Sequence, residues 1–475
     1  MEKAKVEIRP LSSEGYVAPN IVSGKARQAT AAAVVSILAL LFGITMGWTS
    51  PVQSLLQSDG SPIGRLSDAE FSWMASLTLL GGMTGPFFWG RLADRLGRKV
   101  GCYLVCGSFL FGWGLIALTA DQNLLLVARF INGVAGSGAL IIGPAYISET
   151  AQSAIRGALG SMVMLSLNAG VVFAYTLGSL LSYQAFNFLC SAIPVIFFLL
   201  FLWMPESPEY LWNKKDTKAT EASLHWLRNG NVKCVEEEID SFARSVNDQG
   251  SANISALIST RGSRKALMIG FGLFSWQQFS GAVPILAYTT FIFAKSGSSI
   301  QPETATIIVG IIQLLASFIS CSIVDSCGRK LLLLISYVFM GLSLLTLGTY
   351  FHLENSNSDV SSFRWVPILC LSVHLLNYAL GAGPIPYIVT SETLPIDIKA
   401  LGVSVVIWWG TLLAFLNVKF FPVFVDKVGL TPCLFSYGFL SLTGCLFVWS
   451  TVPETKGVPL HDILLRLNGV SKDEV

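Results

Sequence analysis

Charge is scarce in this sequence. Asp, Glu, Lys and Arg make up 13% of the 475 residues, about half the ~25% of an ordinary soluble domain, whereas 52% are apolar. A water-solvated protein of this length needs more charged surface; a lipid-solvated one does not. Net charge is only +2, so there is no basic excess to draw nucleic acid. Four histidines leave little for metal chemistry. The nine cysteines are odd in number and scattered, most of them inside apolar runs (Cys102, Cys106, Cys190, Cys321, Cys370, Cys445), which fits neither a disulfide framework nor zinc-ligand spacing. A glycine-rich phosphate loop is missing, as is any nucleophile–base pair, so neither a cofactor nor an enzyme is indicated.

Apolar runs are abundant, each of the length that crosses a ~30 Å hydrocarbon core. They place spans near 30–50, 68–90, 101–119, 124–147, 157–181 and 184–203, then near 266–294, 303–324, 331–351, 364–390, 400–424 and 430–452. The expected organisation is a tail over 1–29, a six-helix half over 30–204, a polar helical linker over 205–265, a second half over 266–452 and a tail over 453–475. The first run follows a polar stretch and lacks a small-residue cleavage site, which reads as a first span and not a removed signal peptide. With both termini inside, inner segments hold 25 of the 31 Lys and Arg; the remainder are Arg65, Arg129, Lys295, Arg364, Lys419 and Lys427. The positive-inside rule therefore predicts cytoplasmic termini and a cytoplasmic linker.

The chain also repeats itself. The Gly90–Lys99 run GRLADRLGRK returns as DSCGRK at Asp325–Lys330. Ser148-Glu149-Thr150, with Arg156 seven residues past the Glu, returns as Ser391-Glu392-Thr393 with Lys399 seven past. Pro205-Glu206 returns as Pro453-Glu454. The offsets are 231 (Lys99 to Lys330), 243 (Glu149 to Glu392) and 248 (Glu206 to Glu454). Three matches in register imply a duplicated six-helix unit, and parallel repeats of this kind place a binding site at the midplane between halves.

These residues resemble the sugar porter family of the major facilitator superfamily, from the first span to about Leu460. The similarity is carried by GRLADRLGRK, the Arg129 region, RGALG at Arg156–Gly160, PESPEYL at Pro205–Leu211, QQFSG at Gln277–Gly281, GPIPY at Gly383–Tyr387 and PETKG at Pro453–Gly457. Gly47-Trp48-Thr49-Ser50-Pro51 and Asn168 are most similar to insect facilitated trehalose transporters. The resemblance implies an all-α integral membrane fold of twelve transmembrane helices in two pseudo-symmetric halves.

Charged groups recur at inner helix ends: Arg98, Glu149 and Arg156 in one half, Asp325, Arg329, Glu392 and Lys399 in the other, with Glu206 in the linker. Anchoring at the headgroups accounts for Arg91, Arg95 and Lys99, but a carboxylate gains nothing from anionic lipid. The equal spacing of acid and base in both halves reads as a cytoplasmic latch of ion pairs, and the resemblance implies the same role. Glu209 stands where the family usually carries Arg.

A sugar presents hydroxyls and weakly apolar faces, so its site needs amides or carboxylates and an aromatic platform. Gln277 and Gln278 sit side by side in an apolar run, where amides serve either as glue between helices or as lining of a wet cavity. The resemblance makes both of them sugar ligands, adds Gln313 where the family has a cavity Asn, and places Tyr387 where Trp is commoner. Trp408 and Trp409 offer a second platform, and Asn168 and Asn377 further amides. Gly381–Pro386 should break the tenth helix. Other expected ligands are replaced, by Val283, Met164, Ala379 and the Gly410-Thr411 pair.

Proton-coupled members of the family carry an Asp in the first span; here the matching residue is Thr45. Facilitated diffusion of a sugar by alternating access follows, with trehalose or a related disaccharide ahead of a hexose, polyol or non-sugar solute, and a non-transporting sensor as the rival from another class. The expected partners are the sugar and the bilayer, with no nucleic acid; a monomer suffices, in the plasma membrane or an endomembrane.

Overall fold

The computed structural model describes residues 23–244, 257, 260–298, 300–395, 398–458 and 460–468. Ten of its helices are long and apolar enough to cross a membrane by themselves: Lys25–Leu56, Arg98–Leu118, Gln122–Thr150, Ser153–Leu180, Tyr183–Phe201, Pro302–Val324, Arg329–Asn355, Ser361–Thr393, Lys399–Val428 and Leu430–Thr451. Two further spans complete the twelve, and each is broken for a reason visible in its residues. The second runs as Asp68–Thr84, a tight turn at Gly85–Phe87 and Trp89–Leu96, with Pro86 withholding the N–H that a continuous helix needs. The seventh is Arg261–Phe279, then Ala282–Ala287 and Thr289–Lys295, interrupted where Gly281 takes φ 79° just before Pro284.

The tenth span is broken as well. Its Val366–Asn377 helix loosens into a wide turn at Tyr378–Ala382 before resuming at Ile385–Thr393, across the Gly-Ala-Gly-Pro stretch. Pro384 and Pro386 have no N–H to give the Leu380 and Ala382 carbonyls, and side chains from two other spans use these carbonyls instead, Ser320 at Leu380 (2.8 Å) and Gln277 at Ala382 (2.8 Å).

Packing obeys the internal repeat. The first span lies on the fifth as the seventh lies on the eleventh; the third pairs with the sixth as the ninth pairs with the twelfth. The first and fifth spans touch through glycine: a methyl on Gly43 would stand 1.9 Å from the Leu167 carbonyl oxygen, and one on Gly170 2.1 Å from that of Leu40. Contact this close is how helices associate where hydrophobic burial gives no drive. The two halves then meet through the second and eleventh spans and through the fifth and eighth. Large apolar side chains such as Phe188, Leu199, Phe318 and Phe339 remain on the perimeter, as lipid solvation allows.

Between the halves, Pro208–Asn213, Thr217–Leu227 and Val232–Arg244 form three short helices. They belong to the first half. Arg228 is buried, paired in two-pronged fashion with Glu238 (2.7 and 2.8 Å), and donates to the Thr150 carbonyl at 3.0 Å. One buried side chain thus ties this helical layer to the end of the fourth span.

Candidate functional site

At the midplane the seventh span brings its two amides to the broken tenth span. Gln277 is buried, and its Nε2 donates to the carbonyls of Ala382 and Gly383, both at 2.8 Å. Its Oε1 accepts from Gln278 Nε2 at 3.2 Å. Every polar atom of Gln277 is therefore occupied by protein, and in this conformation it works as a strut on the tenth span. Gln278 differs: its buried Oε1 has no partner among the described residues. Behind it, Asn417 Nδ2 donates to the Gln278 carbonyl at 2.6 Å, and Tyr437 donates its hydroxyl to Asn417 Oδ1 at 2.6 Å.

The second amide group bridges the halves. Gln313 Nε2 donates to Asn168 Oδ1 at 2.9 Å, and Asn168 Nδ2 donates to Ser317 Oγ at 3.0 Å. Gln313 Oε1, also buried, likewise has no partner among the described residues. A buried acceptor without a donor costs ~1–3 kcal/mol, and such an oxygen suits a ligand rich in O–H donors. The aromatic candidates divide: Tyr387 is half-buried with its ring edge-on to Phe274 (4.8 Å, 79°), and Trp408 is half-buried. Trp409 is held by Ser275 at 2.9 Å, and Asn377 turns back on the Val373 carbonyl.

From the midplane toward the end far from the linker, the halves are bonded together. Tyr175 donates to the Leu286 carbonyl at 2.7 Å, Ser50 Oγ meets Thr290 Oγ1 at 2.8 Å, and Lys419 Nζ donates to Ser72 Oγ at 2.7 Å. On the linker side, no hydrogen bond or ion pair among the described residues joins the two halves. Just inside the seal, buried Arg129 donates to the carbonyls of Thr45 (2.7 Å) and Met74 (3.2 Å) and lies 5.2 Å from the Trp48 ring centroid. Carbonyl dipoles and a π face offset that charge, with no carboxylate paired to it among the described residues.

The linker side carries two copies of one charge cluster. Arg98 pairs with Glu149 at 2.9 Å; Arg329 pairs with Glu392 at 3.2 Å. Ser207 Oγ donates to the other oxygen of Glu149, and Thr455 Oγ1 does the same to Glu392 at 2.5 Å. Glu206 accepts the Lys99 backbone N–H at 3.0 and 3.1 Å, and Glu454 accepts those of Arg329 and Lys330 at 3.0 and 3.1 Å. Glycine makes this approach possible: Gly97 (φ 104°) and Gly328 (φ 91°) would place a methyl 2.3 and 2.7 Å from the Glu206 and Glu454 oxygens. The copies differ electrostatically. Burial pushes the Glu206 carboxyl up against the backbone N–H groups that hold it. Burial also opposes ionisation of Glu454, but four backbone N–H groups outweigh it and hold that carboxyl below its usual range.

Other expected cluster members are not drawn in. Arg156 and Lys399 are exposed and, among the described residues, pair with no carboxylate; Arg156 reaches only the Ala151 carbonyl, at 3.4 Å. The Asp325 side chain lies outside the described residues. Sequence reasoning missed Glu454, Ser207 and Thr455, although the Pro-Glu repeat that marks Glu206 also marks Glu454. It missed Asn417, Tyr437 and Ser317 too, which carry no signal beyond being polar within apolar runs.

Residues 29–464 match the family described as "Sugar (and other) transporter". The facilitated trehalose transporter Tret1 of Bombyx mori is 33% identical over 446 residues, covering 94% of this chain and 88% of that protein. The protein of the same name from Polypedilum vanderplanki is 31% identical, with 98% and 92% covered. The one from Anopheles gambiae is 31% identical over 98% of this chain, which spans 58% of that longer protein. Among solved structures, the partially occluded inward-open form of the xylose transporter XylE from E. coli superposes with a TM-score of 0.76 at 21% identity, over 92% of this chain and 100% of that one. Its inward-open form gives 0.72 at 22%, over 91% and 98%.

Proposed function

This chain belongs to the sugar transporter family, as a multi-pass membrane protein of the major facilitator fold that moves sugar by alternating access, and we propose that its sugar is trehalose or a related disaccharide, carried down its gradient. The observation that carries the reading is the pair of buried amide oxygens on Gln278 and Gln313 that have no partner among the described residues, with the Asn168–Ser317 bridge between halves. Sugar hydroxyls donate to those oxygens, so binding supplies the donors that the described residues do not. Tyr387 and Trp408 provide the apolar faces. Val283, which lines a small cavity together with Met46, Leu79 and Val418, stands where the family uses an amide for a hexose, and this favours a larger or differently held sugar.

In the cycle, the seal of Ser50–Thr290, Tyr175–Leu286 and Lys419–Ser72 opens as the linker side closes. The linker and both termini face the cytosol, in keeping with the positive-inside count, and the plasma membrane is the membrane served. The Arg98–Glu149 and Arg329–Glu392 pairs lie within halves and hold each helix end rigid. Exposed Arg156 and Lys399 are the groups free to meet the opposite half on closure. Uptake into transport-null cells across trehalose, glucose, fructose and polyols tests the reading. Trehalose is expected to lead, and a panel in which only polyols enter would replace it.

A further inference from the structure

On the far side of the seal a cavity of about 330 Å³ lies between the halves, within the ~300–1,000 Å³ range of small-molecule sites. Its wall is aromatic. Tyr288 and Phe421 stack at 5.2 Å and 26°, with Phe71 tilted against Tyr288 at 6.0 Å, and all three are buried. Its polar groups form a relay: Gln53 Nε2 donates to Gln57 Oε1 at 3.2 Å, and Gln57 Nε2 donates to Asp68 Oδ1 at 2.6 Å. Gln53 is itself buried, and its Oε1 has no partner among the described residues. Asp68, Asp426 and Lys295 are exposed at the rim. Flat apolar rings beneath amides and mixed-sign charged groups suit a neutral, polyhydroxylated ring. Half-buried Phe291 on the same wall takes its C–H face, the carboxylates and the Gln53 oxygen accept from its hydroxyls, and Lys295 donates.

We propose that this vestibule is a second saccharide site, filled from the side opposite the linker while the seal beneath it is shut. The inference rests on the reading of the chain as a sugar carrier and adds a waiting position ahead of the central site. Gln53, Asp68 and Phe71 come from the first half, Tyr288, Phe421 and Asp426 from the second. A sugar held here bridges the halves, so its occupancy favours the sealed conformation.

The test is saturation-transfer NMR of trehalose against the full chain in lipid nanodiscs. It compares wild type, Gln278→Ala, the rim pair Gln57→Ala/Asp426→Ala, and all three substitutions together, with melting curves confirming folding. The rim residues are half-buried or exposed, so their loss leaves the core intact. Gln278→Ala is expected to lose uptake yet keep contact with trehalose, and adding the rim pair should weaken that contact about tenfold or more. No contact in Gln278→Ala, or contact that the rim pair leaves unchanged, overturns the vestibule site. If Gln278→Ala still takes up sugar, the central assignment fails instead, and the effect of the rim pair on wild-type contact still decides the vestibule.

Discussion

Lys419 of the eleventh span donates to Ser72 Oγ of the second at 2.7 Å, with its ammonium 4.1 Å from the Trp73 ring centroid, and this cation joins the two halves. Hydrogen bonds from a charged donor contribute ~1.5–3 kcal/mol, enough to shift a two-state equilibrium about tenfold or more. Lys419→Met should therefore unseal the far side. Cysteine introduced at Ala75, which lines the space beneath the seal, should react about tenfold faster with an external membrane-impermeant thiol reagent in that variant. Equal rates would show that the seal does not depend on Lys419.

At the midplane, Gln278→Ala removes an oxygen that no group among the described residues satisfies, so trehalose uptake is expected to vanish at normal surface level. Gln313→Ala should weaken uptake and also loosen the Asn168 bridge. Val283→Asn restores an amide and should raise glucose uptake relative to trehalose. Paired uptake of both sugars by each variant, corrected for surface expression, reads all three.

The two glutamates under the helix ends should separate by pH. Glu454 is held below its usual range, so it contributes stability that is fully present above about 4.5, the ordinary Glu value, and is lost as pH falls through its folded value. Glu206 is raised, so its charge opposes folding at neutral pH, and that penalty fades as pH falls through its raised value toward 4.5. Melting of the purified protein at pH 7.5 should drop for Glu454→Gln and change less for Glu206→Gln, with the gap narrowing at pH 4.5. A larger loss from Glu206→Gln at pH 7.5 would reverse the assignment.

Much of this architecture is legible in the sequence because lipid imposes one simple demand, a continuous apolar run per span. The runs beginning near 30, 101 and 430 became helices with small changes at their ends. The repeat is legible for a similar reason: Gly97 and Gly328 must be glycine if a glutamate is to sit on the turn. The site is less legible, because a side chain's role there depends on which atoms are already used. Gln277 and Gln278 are identical as letters, yet the broken tenth span presents the Ala382 and Gly383 carbonyls to one, while the other's oxygen has no partner among the described residues. The seal was unreadable too, since Ser50 and Thr290 are 240 positions apart and of ordinary type.

Thr45 stands where an acid would carry a proton, and Arg129 is bound to the Thr45 carbonyl instead. Sugar is therefore expected to enter without an inward current and without sensitivity to a protonophore. Whole-cell recording during a trehalose step checks this, and a sugar-evoked inward current would contradict it.

The proposed carrier equilibrates a disaccharide through a site built on Gln278 and Gln313. Purified protein reconstituted into liposomes, given radiolabelled trehalose and no ion gradient, measures this most directly. Label should rise to equal concentration on both sides, exchange faster when unlabelled trehalose is preloaded inside, and fail to enter through Gln278→Ala. Absence of entry through the wild type, or full entry through Gln278→Ala, would contradict the account.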